Sequence, residues 1–117
     1  MIALAFDTST TVLSIALQNG NKFYEATRII GLTHSEKLLP LIDTLFDEAG
    51  LEPNQLDVVI CTKGPGSFTG LRIGMATAKG LAMGLSIPLI SVPTLDVYAH
   101  CYSFTDFPVL TVIDAKK

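Results

Sequence analysis

The hydrophobic period of this chain switches in a regular order along its length, and that order limits the folds open to it. The segments "IALAFD" (2–7), "TVLSIAL" (11–17) and "KFYEATR" (22–28) are short and β-rich, and "QNGN" between the last two carries an Asn-Gly hairpin signal. Three antiparallel strands are therefore expected to open the chain. Beyond them, Thr33 and Glu36 have the spacing of a T-x-x-E capping box, and Leu38, Leu39, Ile42, Leu45, Phe46 and Ala49 recur at helical spacing until Gly50 ends the run. Pro40 falls inside this helix and is expected to kink it, because it removes a backbone donor and crowds the carbonyl four residues back. "LDVVICT" (56–62) is apolar on both faces, as an interior parallel strand must be. A glycine-rich turn and a second helix follow to about Leu85. "PLIS" (88–91) then reads as a strand, Pro93 to about Tyr102 as a third helix, and "VLTVID" (109–114) as a last strand.

The order βββαβαβα predicts an α/β fold with a mixed five-stranded sheet and helices on both faces. It is the signature of the ribonuclease H-like lobe, the building block of the actin-like ATPase superfamily. A chain of 117 residues, 49% hydrophobic, is enough to fill one core. Its net charge of -3 and scattered basic residues argue against a domain that holds nucleic acid by itself. The N-terminus lacks the features of a signal peptide and no stretch approaches the ~20 apolar residues of a membrane span, so the expectation is a cytoplasmic protein with no membrane contact. Cys61 and Cys101 match no redox or zinc spacing and read as buried thiols.

Two loops could carry chemistry. In the actin-like ATPases the turn after the first strand is a phosphate loop that begins with an acid, and "DTSTT" (7–11) stands in that place. Asp7, Thr8 and Ser9 are therefore candidates for a vestigial nucleotide or metal contact, although Ser9 occupies the usual glycine position; the alternative is a plain hairpin turn. The second loop, "TKGPGSFTGLRIG" (62–74), fails every standard motif. Leu71 follows Gly70 where a P-loop needs Lys, Thr69 stands where a dinucleotide fingerprint needs its third glycine, and Pro65 and Thr69 flank Ser67 where a nucleophile elbow needs glycines. The residues support a tight exit from the strand, with Ser67 or Thr69 capping the next helix. In that helix Gly70, Gly74 and Ala78 recur every four residues, with Thr77, Gly80 and Gly84 on a neighbouring face. Each interior glycine costs about 0.5–1 kcal/mol relative to alanine, so close packing must offset it, against an internal helix, a subunit or a ligand. Arg72 reads as a solvated cation or as a phosphate or partner-carboxylate contact, and His34 as an exposed polar residue or a partner contact.

"GPGSFTGLRIG" (64–74), "HSEKLLPLID" (34–43) and the "FDTST" start resemble the TsaB family, also called YeaZ, over essentially the whole chain. Members are about twice this length, so the resemblance implies a first actin-like lobe over 1–107 and the start of a second over 108–117. It implies a non-catalytic subunit for threonylcarbamoyladenosine modification of tRNA, binding and activating the catalytic subunit TsaD. A TsaE-like ATPase is a further partner, tRNA is contacted only indirectly, and a self-dimer uses the same helices. The partner-binding set is His34, Ser35, Leu38, Leu41, Gly70, Arg72, Gly74, Thr77 and Ala78. No cofactor is required by this chain, an ATP or ADP contact at the partner interface stays open, and no metal is expected. The metal of the catalytic subunit is held by an H-x-x-x-H pair, which His34 and His100 cannot form. The alternatives are a weak nucleotide-binding ATPase-like domain and a glycoprotease-like peptidase. For the latter, neither histidine has a recognisable arrangement with Ser67, Cys61 or Cys101.

Overall fold

The computed structural model describes residues 1–31 and 33–113. Its elements are β1 (Ile2–Asp7), β2 (Val12–Asn19), β3 (Lys22–Ile29), α1 (His34–Ala49), β4 (Val58–Thr62), α2 (Phe68–Leu85), β5 (Leu89–Val92) and α3 (Thr94–His100). They form one five-stranded sheet in the order β3-β2-β1-β4-β5. The strands β1, β2 and β3 pair antiparallel, while β4 joins β1 and β5 joins β4 in parallel. Strand β1 thus carries an antiparallel ladder on one edge and a parallel one on the other. The mixed sheet and the element order agree with the expectation from sequence.

Alternation along the strands separates the two faces. Leu4 and Phe6 of β1, Leu13, Ile15 and Leu17 of β2, and Val59 and Cys61 of β4 point to one side, where they meet Leu38, Ile42, Leu45 and Phe46 of α1 and Ala78 of α2 in one buried cluster. On the opposite side, Val97 of α3 joins Ala5, Ser14, Ala16, Ile60 and Thr62 around a cavity of about 320 Å³. Helices therefore lie on both faces, as expected.

Local details depart from the sequence reading in three places. The β2–β3 register sets Asn19 opposite Lys22, so the two-residue loop is Gly20-Asn21 rather than Asn-Gly, with Gly20 at the left-handed φ of 60° that its first position requires. Thr33 precedes α1 but its hydroxyl caps nothing; it donates to the Ile30 carbonyl at 2.7 Å, so the capping box does not form. Helix α1 extends on both sides of Pro40, which lies at an exposed position. Finally, 109–113 forms no strand: it has no ladder partner, and the Thr111 hydroxyl donates to the Leu95 carbonyl of α3 at 3.1 Å. Asp114, the end of that expected strand, lies outside the described residues.

No helix among the described residues is long and apolar enough to cross a membrane. Of the two thiols expected to be buried, only Cys61 is; Cys101 is exposed because α3 ends at the surface. Burial pushes the Cys61 thiol above its ordinary value, against a smaller downward pull from Lys79. Only the thiolate reacts. Iodoacetamide at neutral pH should therefore label Cys101 in the native chain and leave Cys61 untouched until denaturant is added, which mass spectrometry of the digested chain would read.

Candidate functional site

The β1–β2 turn is where the elements converge. Asp7 closes β1, and its Oδ1 accepts from the Ser9 amide at 2.9 Å and from the Thr62 hydroxyl at 2.8 Å, which ties the turn to the end of β4. The glycine-rich loop folds over the turn: the Ser67 amide donates to the Ser9 carbonyl at 2.7 Å. A Cβ placed at Gly66 would come within 2.6 Å of the Ser9 Cβ, so only glycine fits there. Ser67 caps α2 as expected, its hydroxyl accepting from the Gly70 amide at 3.2 Å.

The first two turns of α2 then settle directly onto Thr8. A Cβ at Gly70 would collide with the Thr8 carbonyl oxygen, and one at Gly74 with the Thr8 hydroxyl. From α1, His34 reaches the same turn: its Nε2 lies 2.7 Å from the Thr10 carbonyl. A carbonyl only accepts, so Nε2 carries the proton. His34 is 2% exposed, which corrects the expectation of an exposed first-turn histidine.

Thr8 and Ser9 are each 1% exposed. Their side chains lie beneath the glycine loop and the first turns of α2 and present almost no surface to a ligand. Asp7 alone of the three reaches a cavity, on the other face of the sheet beside Ser14, Glu25, Thr27 and Thr62. Among the described residues no three His, Cys, Asp or Glu side chains come together where they could hold a metal ion.

The residues expected to meet a partner divide by face. His34, Leu38, Gly70, Gly74 and Ala78 are buried in the chain's own packing and present no surface. Leu41 and Thr77 are half-buried, while Ser35 and Arg72 are exposed. The small-residue face of α2 that does reach solvent is the neighbouring one, Ala76, Gly80 and Gly84, with open space at both glycines. Around it stand Phe68, 73% exposed, Met83, 81%, and on α1 Leu39, 52%. The Arg72 guanidinium lies over the Phe68 ring, 5.2 Å from its centroid. Helices α1 and α2 pack side by side on the sheet, so these groups share one outer surface.

Sequence reasoning left Leu39, Phe68, Ala76, Gly80, Met83 and Gly84 out of the site. Both small-residue stripes repeat every four residues, and nothing in the spacing says which one is turned toward Thr8. Lys79, the one charged residue beside Gly80, was the available signal.

A family sequence profile described as TsaD, tRNA N6-adenosine threonylcarbamoyltransferase, matches residues 27–117. The tRNA threonylcarbamoyladenosine biosynthesis protein TsaB of Haemophilus influenzae is 40% identical over 97 residues, 83% of this chain and 41% of that protein. The YeaZ structure from Pseudomonas aeruginosa superposes with a TM-score of 0.84 at 36% identity, covering 86% of this chain and 47% of its own. A RuvC structure from T. thermophilus, in complex with a Holliday junction substrate, superposes at a TM-score of 0.56 with 8% identity, which bears on the ribonuclease H-like fold alone. The chain spans about half the length of the curated relatives it matches.

The two glycine stripes should respond oppositely to one methyl group. Gly74→Ala is expected to lower stability by more than ~1 kcal/mol, since Thr8 must shift, whereas Gly80→Ala is expected to raise it by about 0.5–1 kcal/mol as a plain helix substitution. Urea denaturation of both variants followed by circular dichroism checks this.

Proposed function

The chain belongs to the TsaD family of threonylcarbamoyltransferase-related proteins and, within it, to the TsaB branch, and from that premise we propose that it serves threonylcarbamoyladenosine synthesis on tRNA as a non-catalytic subunit. Its task is to dock a TsaD-type catalytic subunit on the outer surface of α1 and α2. The observation that carries this reading is the exposed stripe of Ala76, Gly80 and Gly84. Two glycines in the interior of a long helix weaken it, and among the described residues no group approaches them closely enough to offset the loss. A second backbone laid against the stripe would gain close packing there, with Met83, Phe68 and Leu39 as apolar anchors and Arg72 at the edge.

The same surface would hold a second copy of the chain when the catalytic subunit is absent. A TsaE-like ATPase completes the assembly, any ATP or ADP contact falls at that joint interface, and tRNA is met through the other components. In this reading residues 1–107 are a first actin-like lobe, and the exposed Val109, Leu110 and Val112 belong to the start of a second. Burial of Thr8 and Ser9 favours a scaffold over a nucleotide-hydrolysing lobe.

Light scattering on a size-exclusion column tests the proposal, with the chain run alone and then mixed with the TsaD-type protein of the same organism. A mixed complex is expected, and Gly80→Leu or Met83→Glu should weaken it at least tenfold while the circular dichroism spectrum is unchanged. A complex insensitive to both substitutions would refute the docking surface; the absence of any complex would refute the partnership.

A further inference from the structure

Strand β3 is an edge strand, and its hydrogen-bonding pattern can be read residue by residue. The Ile30 amide donates to the Thr11 carbonyl, and Lys22 faces Asn19 across the hairpin, so even-numbered residues of β3 turn their backbone groups toward β2. Phe23, Glu25, Thr27 and Ile29 therefore turn theirs outward, and all four are exposed. One of these outward carbonyls, that of Thr27, accepts from Arg28 Nη1 at 3.0 Å. On the face away from α1 the same residues place two large apolar side chains at the ends of the strand, Phe23 at 60% and Ile29 at 86% exposure. Exposed edges of this length are templates for pairing with another chain.

We infer that β3 pairs antiparallel with β3 of a second copy of this chain, about a two-fold axis at Ala26. Outward groups must face outward groups, which excludes every register slipped by one residue. Among the rest, the register centred on Ala26 sets Phe23 opposite Ile29 of the second copy and Glu25 opposite Thr27, each twice by symmetry. Both exposed apolar side chains gain a cross-strand partner, and Arg28 leaves the Thr27 carbonyl to face the Tyr24 ring of the second copy. Centring the pair on Glu25 instead sets Glu25 against Glu25 and Lys22 against Arg28, like charges directly opposite in both cases. Centring it on Thr27 sets Glu25 against Ile29 and leaves Phe23 opposite Gly31. The chosen register alone matches the apolar ends and keeps like charges out of direct opposition. It joins two five-stranded sheets edge to edge and leaves the α1–α2 surface open, so it is independent of the docking proposed above.

Sedimentation equilibrium of the 117-residue chain carrying Met83→Glu, which disables the α1–α2 surface, should show a monomer–dimer equilibrium over a wide concentration range. Adding Phe23→Lys should abolish it. A monomer at all concentrations in the Met83→Glu background, or a dimer that Phe23→Lys leaves unchanged, overturns the inference. The register has its own test in a Cys101→Ser background. Non-hydrogen-bonded partners lie about 4.5 Å apart at Cα, within disulfide reach, so Ala26→Cys should form a covalent dimer on mild oxidation while Thr27→Cys should not. Should Ala26→Cys fail to fold, mixing Glu25→Cys chains with Thr27→Cys chains should give the mixed covalent dimer. Equal cross-linking of Thr27→Cys alone overturns the register.

Discussion

The contact of α2 with Thr8 governs the rest of the molecule. A helix lying on a sheet normally keeps its backbone about one side-chain layer away, yet here the first two turns of α2 rest on the backbone and hydroxyl of the β1–β2 turn. That approach brings the glycine loop over Ser9, holds Asp7 against Thr62 and turns α2 so that Ala78 faces the core. The rotation of α2 about its axis is thus set at its N-terminus, eighteen residues of helix following from where it starts. His34 does the corresponding work for α1, anchoring its first residue to Thr10. Both helices are positioned by one turn of four small polar residues.

This arrangement explains why a loop placed like a phosphate loop lacks the geometry of one. A phosphate site needs free amides facing a space that the ligand can enter. In this chain the Ser67 amide is spent on the Ser9 carbonyl and the Ser9 amide on Asp7. Two of the amides beside this turn thus close it on the glycine loop and on β1, and the turn serves as a structural joint for α2. The outer face of the helix pair and the edge of β3 are the surfaces for which contacts with other chains are proposed above.

The fold was legible in the sequence because it rests on period and punctuation. The strand alternation of Leu13, Ile15 and Leu17, the helical recurrence of Leu38, Ile42 and Leu45, and Gly50 at φ 66° all act locally, and the strands and helices form near their expected limits. What was illegible depends on neighbours distant in sequence. The hydroxyl of Thr33 has two nearby acceptors or donors to choose from, and the Ile30 carbonyl won. His34 is polar at a helix start, and only the position of Thr10, twenty-four residues earlier, turns it inward. The strand expected over 109–114 has the right composition in 109–113 but no ladder to join. The stripe expected to meet a partner and the stripe that reaches solvent differ by a fraction of a helical turn, because two equivalent glycine stripes can be told apart only by what one of them touches.

The two glycines that meet Thr8 are held by different kinds of neighbour, and so differ in how freely they can drift. At Gly74 the obstacle is a side-chain hydroxyl. A smaller residue at position 8 removes it, so positions 8 and 74 can exchange volume across the interface and change together. At Gly70 the obstacle is the Thr8 carbonyl, which every residue type carries. No substitution at position 8 makes room there. Over sequence time position 70 should therefore stay glycine whatever happens around it, while position 74 follows the history of its partner.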